Sequence, residues 1–265
     1  MAFHNYQGRK FIDGSVIPVD DNLTVEQALQ IKINNRPFSI TMRTPGNDKE
    51  LITGLLYAED IYRGAAPLKI RLIENKEKSI TEAEITADES LLKSGYSNSR
   101  SFLSAASCGI CGKTELDEIV TSCKVDDKNK MDLNTLLQMF DSMKEAQHTF
   151  HHSGGSHAAA AFSRKGELLS VREDIGRHNA VDKVIGHLID KNTLSDAKCL
   201  TVSGRISYEI IAKAFAAKVP VLAAVSAPST LAVDFAKELG ITLLGFCRED
   251  KATCYSHPER ILSYE

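Results

Sequence analysis

The second half of the chain alternates short apolar runs with amphipathic stretches, and this rhythm constrains the fold more than any other feature. Cys199–Val202, Val219–Val225 and Ile241–Phe246 read as buried strands. Around them, Ala180, Val181, Val184, Ile185, Leu188 and Ile189 mark a helix, and Tyr208–Ala217 and Leu231–Leu239 mark two more. Apolar strands joined by helices indicate parallel βαβ units, because helices then cover the sheet. In open α/β sheets, ligands bind beyond the carboxyl ends of the strands. Those ends here are Ser203-Gly204-Arg205, Ser226-Ala227-Pro228 and Phe246-Cys247-Arg248. Helix N-terminal amides beside them attract anions, and Arg205 and Arg248 can grip phosphate with two hydrogen bonds each. An anion site is therefore expected at Ser203, Gly204, Arg205 and Ser226. The segment Phe246, Cys247, Arg248, Glu249, Asp250 and Lys251 is its expected binding loop, with Cys247 and Arg248 leaving the last strand directly into the crevice.

The first third reads as β-rich. Leu29–Ile33 and Phe38–Arg43 alternate apolar and polar residues around the turn formers Asn34-Asn35-Arg36-Pro37, the pattern of a hairpin. Leu68, Ile70 and Leu72 alternate in a further strand. One helix interrupts, with Asn47 or Asp48 expected to cap it and Leu51, Ile52, Leu55, Leu56 and Ile61 forming its apolar stripe. Ser94–Ser107 reads as a mobile loop of small residues. A second amphipathic helix begins near Asp132, with Leu133, Leu136, Leu137, Phe140 and Met143 at helical spacing. The expected division is a β-rich N-terminal domain over residues 1–130 and an α/β domain over residues 131–265. The expected fold class is α/β, or α+β taken as a whole.

Charge narrows the function. Lys plus Arg number 32 against 35 Asp plus Glu, for a formal charge of −3. No basic surplus exists to displace counterions, so nucleic acid is not an expected partner. No apolar run approaches the ~20 residues needed to span a bilayer, so no membrane is expected either. The N-terminal Met1-Ala2-Phe3-His4 lacks a secretory apolar region, and six Cys in 265 residues are too sparse for a disulfide scaffold. A cytoplasmic location follows as an expectation.

In that setting the close pair Cys108 and Cys111 is the leading reactive candidate. A C-x-x-C can serve as a redox dithiol, half of a zinc site, or a sulfur-handling nucleophile. No second pair at similar spacing completes a zinc site, so no metal is expected. The four His within His148–His157 sit beside Ser153-Gly154-Gly155, a loop-like composition. A thioredoxin-like pair belongs at a strand-to-helix turn, whereas this one follows a loop of small residues. Gly109 and Gly112 leave the thiols unshielded, and Lys113 can help ionise them. The His157-Ala158-Ala159-Ala160 stretch invites comparison with zinc deaminases, which carry H-x-E before P-C-x-x-C. Ala159 stands where their Glu is needed and the C-x-x-C precedes the His, so deamination is not expected. Glu173–Asn179 gathers polar side chains before a helix; capping by Asn179 explains one, and the others suggest the wall of a polar site.

These stretches together resemble the formate dehydrogenase accessory sulfurtransferases of the FdhD/NarQ family. The resemblance is carried by Arg43-Thr44-Pro45-Gly46-Asn47-Asp48, Cys108-Gly109-Ile110-Cys111-Gly112, Gly154–Ala160, Glu173–Lys183, Ser203-Gly204-Arg205 and Ala224–Ser229. It implies a cytidine-deaminase-like C-terminal fold, a homodimer, and a sulfurtransferase activity. Such a carrier takes persulfide sulfur from a cysteine desulfurase and passes it to the molybdenum bis(molybdopterin guanine dinucleotide) cofactor, its bound substrate, for formate dehydrogenase. Cys108 is then the expected persulfide carrier and Cys111 its partner, or the reverse, and GDP should mimic half of the substrate. Two rivals are a non-catalytic cofactor chaperone, which would not need the Cys pair, and a zinc- or redox-dependent nucleotide-binding protein.

Overall fold

A computed structural model describes residues 2–64, 68–75, 77, 79–93, 96 and 124–262. It opens with a hairpin that the alternation pattern does not announce, β1 (Phe3–Ile12) and β2 (Ser15–Thr24). Pro18, Asp20 and Asp21 break the apolar rhythm there, and Phe11 near the tip is 78% exposed. Only the base is anchored, through Phe3 stacked on His152 and a 2.6 Å hydrogen bond between the Thr24 and Ser153 hydroxyls.

The hairpin expected around Asn34 is present as β3 (Gln27–Ile33) and β4 (Arg36–Arg43). Asn34 and Asn35 both take positive φ, as a two-residue turn between twisted strands requires. After α1 (Asp48–Ala58), β5 (Lys69–Asn75) and β6 (Ile80–Thr86) complete a four-stranded sheet in the order β4-β3-β6-β5. Leu29, Ile31, Ile33, Ala83 and Ile85 bury one face of it against Leu51, Ile52 and Leu56 of α1. Asn47 does sit at the start of α1, but its left-handed backbone (φ 57°) turns the side chain away and it makes no cap. Asp48 is engaged instead by Arg43, whose Nε and Nη2 donate to its two oxygens at 2.8 and 2.9 Å.

From β7 (Met131–Asp132) the chain enters α2 (Leu133–Glu145), which starts where expected and is capped by Asp132, whose carboxylate accepts from the Thr135 amide at 2.8 Å. The His run is a short helix, α3 (His148–Ser153), and not a loop. His151 and His152 serve it locally, each with a ring nitrogen within 2.8 Å of a backbone carbonyl. There follow β8 (His157–Phe162), β9 (Leu168–Asp174), α4 (Arg177–Asp190), β10 (Cys199–Val202), α5 (Tyr208–Ala216), β11 (Val221–Ala224), α6 (Thr230–Leu239), β12 (Thr242–Arg248), β13 (Lys251–Ser256) and β14 (Ile261–Leu262). The six-stranded sheet has the order β13-β12-β11-β10-β8-β9. Its three central strands β10, β11 and β12 are the parallel set the pattern predicts, while β8, β9 and β13 add antiparallel flanks. One face carries α4, α5 and α6 over Ala159, Ala161, Leu200, Val202, Leu222 and Leu243. The other packs Leu136, Leu137, Met139 and Met143 of α2 on Ala158, Ala160, Phe162 and Ala223.

Two glycines join the sheets. A Cβ on Gly54 of α1 would lie 1.9 Å from the Asp182 carbonyl oxygen of α4, and one on Gly186 would lie 1.9 Å from that of Glu50. The helices therefore meet backbone to backbone, a distance only glycine permits. Around the crossing, Glu50 accepts from Arg172 at 2.6 and 2.9 Å, and Lys213 of α5 pairs with the buried Asp182 at 2.7 Å. Burial raises the Asp182 carboxyl, and the Lys213 ammonium, held by Asp182 and Glu59, is raised in turn.

Alanine is better than glycine inside a helix by about 1 kcal/mol, so Gly186→Ala would stabilise an isolated α4. Because the added Cβ would overlap backbone atoms, forcing the helices apart costs at least about 3 kcal/mol, the top of the usual overpacking range. Chemical denaturation should show Gly186→Ala and Gly54→Ala each destabilised by at least about 1 kcal/mol. Unchanged or raised stability would mean the crossing yields freely.

Candidate functional site

The motif stretches among the described residues meet at the carboxyl edge of the six-stranded sheet, and a buried carboxylate assembles them. Asp174, at the end of β9, is fully buried. One of its oxygens accepts from the Gly176 amide at 2.8 Å and from Asn179 Nδ2 at 3.0 Å. The other accepts from the Thr44 amide at 3.1 Å and pairs with Lys183 Nζ at 2.7 Å. Lys183, 2% exposed, also donates to the Thr44 carbonyl at 2.9 Å, and Thr44 Oγ1 accepts from the Ile175 amide at 3.0 Å. The segment after β4 is thus stapled to the start of α4.

This changes the reading of Glu173–Asn179 as a site wall. Glu173 accepts from the Thr149 and Phe150 amides and the Ser156 hydroxyl at 2.7–2.8 Å, so it holds α3. Asn179 does not cap α4, since Gly176 occupies that position; its amide donates to Asp174 and to the Met42 carbonyl. Arg177 and His178 are what remain to face the edge.

The strand ends converge as predicted. Ser203-Gly204-Arg205 and Ser226-Ala227-Pro228 are joined by a parallel bridge between Ile206 and Pro228, and the Ile206 amide donates to the Ala227 carbonyl at 3.2 Å. Ser226 in turn accepts from the Phe246 amide at 3.2 Å. The segment Phe246–Lys251, however, turns straight back into β13 at Glu249 and Asp250, forming a hairpin with a bulge at Phe246, whose φ is +55°. Phe246 and Arg248 are exposed at that hairpin, while Cys247 is 1% exposed and packs in the core beneath α2. Cys247 does not reach a crevice, because the period of a strand sends its side chain to the opposite face from its neighbours.

One imidazole, that of His157, lies beside Gly204. Pairing of β8 with β10 and β9 brings His157 opposite Asp174 and next to Ser203, whose hydroxyl accepts from the Ala158 amide at 2.9 Å. A Cβ on Gly204 would stand 3.1 Å from His157 Nδ1 and 3.5 Å from Arg177 Cδ. Burial and the Arg177 charge hold His157 below its ordinary value, Asp174 pulls it back, and Arg205 adds to the depression. His178 has its Nε2 3.1 Å from Ser207 Oγ and 3.7 Å from a Glu209 oxygen. Burial first, then Arg177 and Lys213, depress it to about 4, so it is neutral at pH 7.

Cys108 and Cys111 lie outside the described residues, as do Lys113 and nearly all of Ser94–Ser107. The described thiols are poor nucleophiles. Cys199 and Cys247 are buried, with the Cys247 thiol pushed up to about 12, and burial raises Cys254 as well. No helix among the described residues is long and apolar enough to cross a membrane. Sequence reasoning did not place His157 and Arg177 at the edge. Its signal for them was the surplus of polar residues around Gly176, a surplus that long-range pairing alone could sort.

Residues 24–262 match the family model described as FdhD/NarQ family. The chain is 40% identical over 257 residues to the Sulfur carrier protein FdhD of Sulfolobus acidocaldarius, covering 95% of this chain and 96% of that one. It is 38% identical over 259 residues to the protein of the same name from Streptomyces avermitilis, covering 94% and 92%. Its fold resembles a crystal structure from Desulfotalea psychrophila, provisionally described as a formate dehydrogenase accessory protein, with a TM-score of 0.77, 18% identity, and coverage of 99% and 100%. With a family match over most of its length and relatives at this identity, the chain belongs to the FdhD/NarQ family.

Proposed function

We propose that this protein is a cytoplasmic, homodimeric sulfur carrier. It takes sulfur from the persulfide of a cysteine desulfurase and delivers it to the molybdenum bis(molybdopterin guanine dinucleotide) cofactor used by formate dehydrogenase. The observation that supports this most is the pairing of a C-x-x-C, in a chain whose relatives are named sulfur carriers, with strand ends that present cationic groups to one edge. Burial keeps the described thiols protonated, which leaves the nucleophile's role to Cys108 and Cys111. A thiolate at Cys108 attacks the terminal sulfur of the donor persulfide, the old S–S bond breaks, and the donor leaves as its thiolate. The new persulfide carries sulfur at the same oxidation level. For release as sulfide, Cys111 attacks the Cys108 sulfur, closing a disulfide whose two electrons reduce the departing atom; a cellular thiol then reopens it.

At the edge, the substrate's nucleotide end meets Ser203, Gly204, Arg205, Ser226 and the exposed part of the Phe246–Lys251 hairpin. GDP stands in for half of that substrate.

Mass spectrometry after incubation with a desulfurase and cysteine should show a reductant-sensitive gain of one sulfur on the peptide holding Cys108 and Cys111. Cys108→Ala should abolish both the adduct and formate dehydrogenase maturation. Full maturation by the double alanine variant would favour a chaperone without a sulfur step. Arg248→Ala, at an exposed hairpin position, should weaken GDP binding by about tenfold or more. Equal calorimetric affinities would remove the hairpin from the site.

A further inference from the structure

The β1–β2 hairpin buries little of itself, and nothing in the sulfur chemistry above uses it. Its turn, Asp13-Gly14, has positive φ at both residues (48° and 76°), as a two-residue connection between antiparallel strands requires. Such a turn makes the flanking pair, Ile12 and Ser15, exchange hydrogen bonds, and bonded and non-bonded pairs then alternate along the ladder. Lys10 with Ile17, Gly8 with Val19 and Tyr6 with Asp21 are the next bonded pairs. Arg9 falls opposite Pro18 in a non-bonded pair, as a residue without an N–H demands. The N–H groups of Asn5, Gln7, Arg9 and Phe11 consequently point away from β2, and none has a hydrogen-bond partner among the described residues.

The two outer edges of this ribbon differ. On β2 the outward positions include Pro18, which cannot donate, and Asp20 and Asp21 follow it; proline and charge are the usual means of closing an edge. β1 contains neither proline nor acid. Instead Arg9 and Lys10 stand exposed on its two opposite faces, and neither has an ion-pair partner among the described residues. Tyr6, Phe11 and Ile12 flank them and are exposed as well. A two-stranded ribbon is marginal by itself and gains from a third strand.

We propose that the outer edge of β1 takes up an extended, acidic segment of another protein as a third strand. A strand added there lies about 4.8 Å from β1. Its carboxylates meet Arg9 on one face and Lys10 on the other, and its apolar residues cover Tyr6, Phe11 and Ile12. Backbone hydrogen bonds supply the affinity and these side chains the selection. A second copy of the same edge fits less well, because β1 paired with itself offers Arg9 and Lys10 no carboxylate and sets like charges on one small sheet. This surface stands apart from the sulfur step and is tested without it.

Calorimetric titration of the full chain uses a peptide of about eight residues, an ordinary strand length, built of valine and threonine around two adjacent glutamates. A second peptide carries lysines in their place. Wild type should bind the glutamate peptide, and the lysine peptide at least about tenfold more weakly. Arg9→Glu combined with Lys10→Glu should reverse that preference. Gln7→Pro removes an outward N–H and no β1–β2 bond, and should weaken the glutamate peptide about tenfold or more. Amide exchange at Asn5, Gln7 and Arg9 of wild type should slow when the glutamate peptide is added. If Gln7→Pro disturbs the hairpin, the charge-reversed chain carries the test. No binding below about 1 mM, equal binding of both peptides by wild type, or unchanged exchange at those amides would overturn the assignment. A wild-type dimer that the charge reversal or Gln7→Pro dissociates in sedimentation would overturn it too, since a second copy would then cover the edge.

Discussion

The buried carboxylate of Asp174 is the constraint on which the rest of the edge depends. It has no access to water, so its charge must be met by protein groups, and these come from three directions: Lys183, the Thr44 amide, and the turn at Gly176 with Asn179. Removing one member of such a set leaves an uncompensated buried charge, which costs about 3–5 kcal/mol. Because Thr44 follows β4 and Lys183 lies inside α4, the set joins both sheets at a single point. The Gly54–Gly186 crossing fixes the same two parts a short distance away. Together they set where α4 begins, and so where Arg177 and His178 stand relative to Gly204.

The same architecture divides labour among the cysteines. Cys199 and Cys247 lie in the apolar layer beneath the strands, where desolvation disfavours the thiolate that sulfur transfer requires. A thiol that must visit a donor and then a substrate needs the opposite setting, and Cys108-Gly109-Ile110-Cys111-Gly112 has the composition for it. In the proposed function, the sheet's fixed groups meet the anionic end of the substrate and the Cys108–Cys111 pair carries the chemistry.

The parallel strands, their helices and the converging strand ends were legible in the sequence because burial on both faces leaves unbroken apolar runs such as Cys199–Val202 and Val221–Ala224. The β3–β4 hairpin was legible through Asn34 and Asn35, whose positive φ few other residues tolerate. Less legible were β1 and β2, which bury little and so carry no clear alternation, and β8, where Ala158–Ala161 has weak strand preference and is held by packing. Asn47 and Asn179 look like caps, yet a left-handed backbone and a long-range carboxylate take them elsewhere. Cys247 reads as a strand end and lies in the core, because β12 continues through a bulge to Arg248. Gly54 and Gly186 stand inside helical patterns at a cost in propensity, a signal of close packing that names no partner.

Amide hydrogen exchange at Thr44 tests most directly whether Asp174 holds the two sheets together. Its N–H ends on a buried oxygen 3.1 Å away, so it should exchange only through large opening. In Asp174→Asn one oxygen becomes an NH2 that cannot accept. Protection at Thr44 and Ile175 should then fall by about tenfold or more, the equivalent of about 1.4 kcal/mol, while amides in the β11–β12 ladder keep theirs. Thr44 protection equal to that of wild type would show that the staple does not hold the edge.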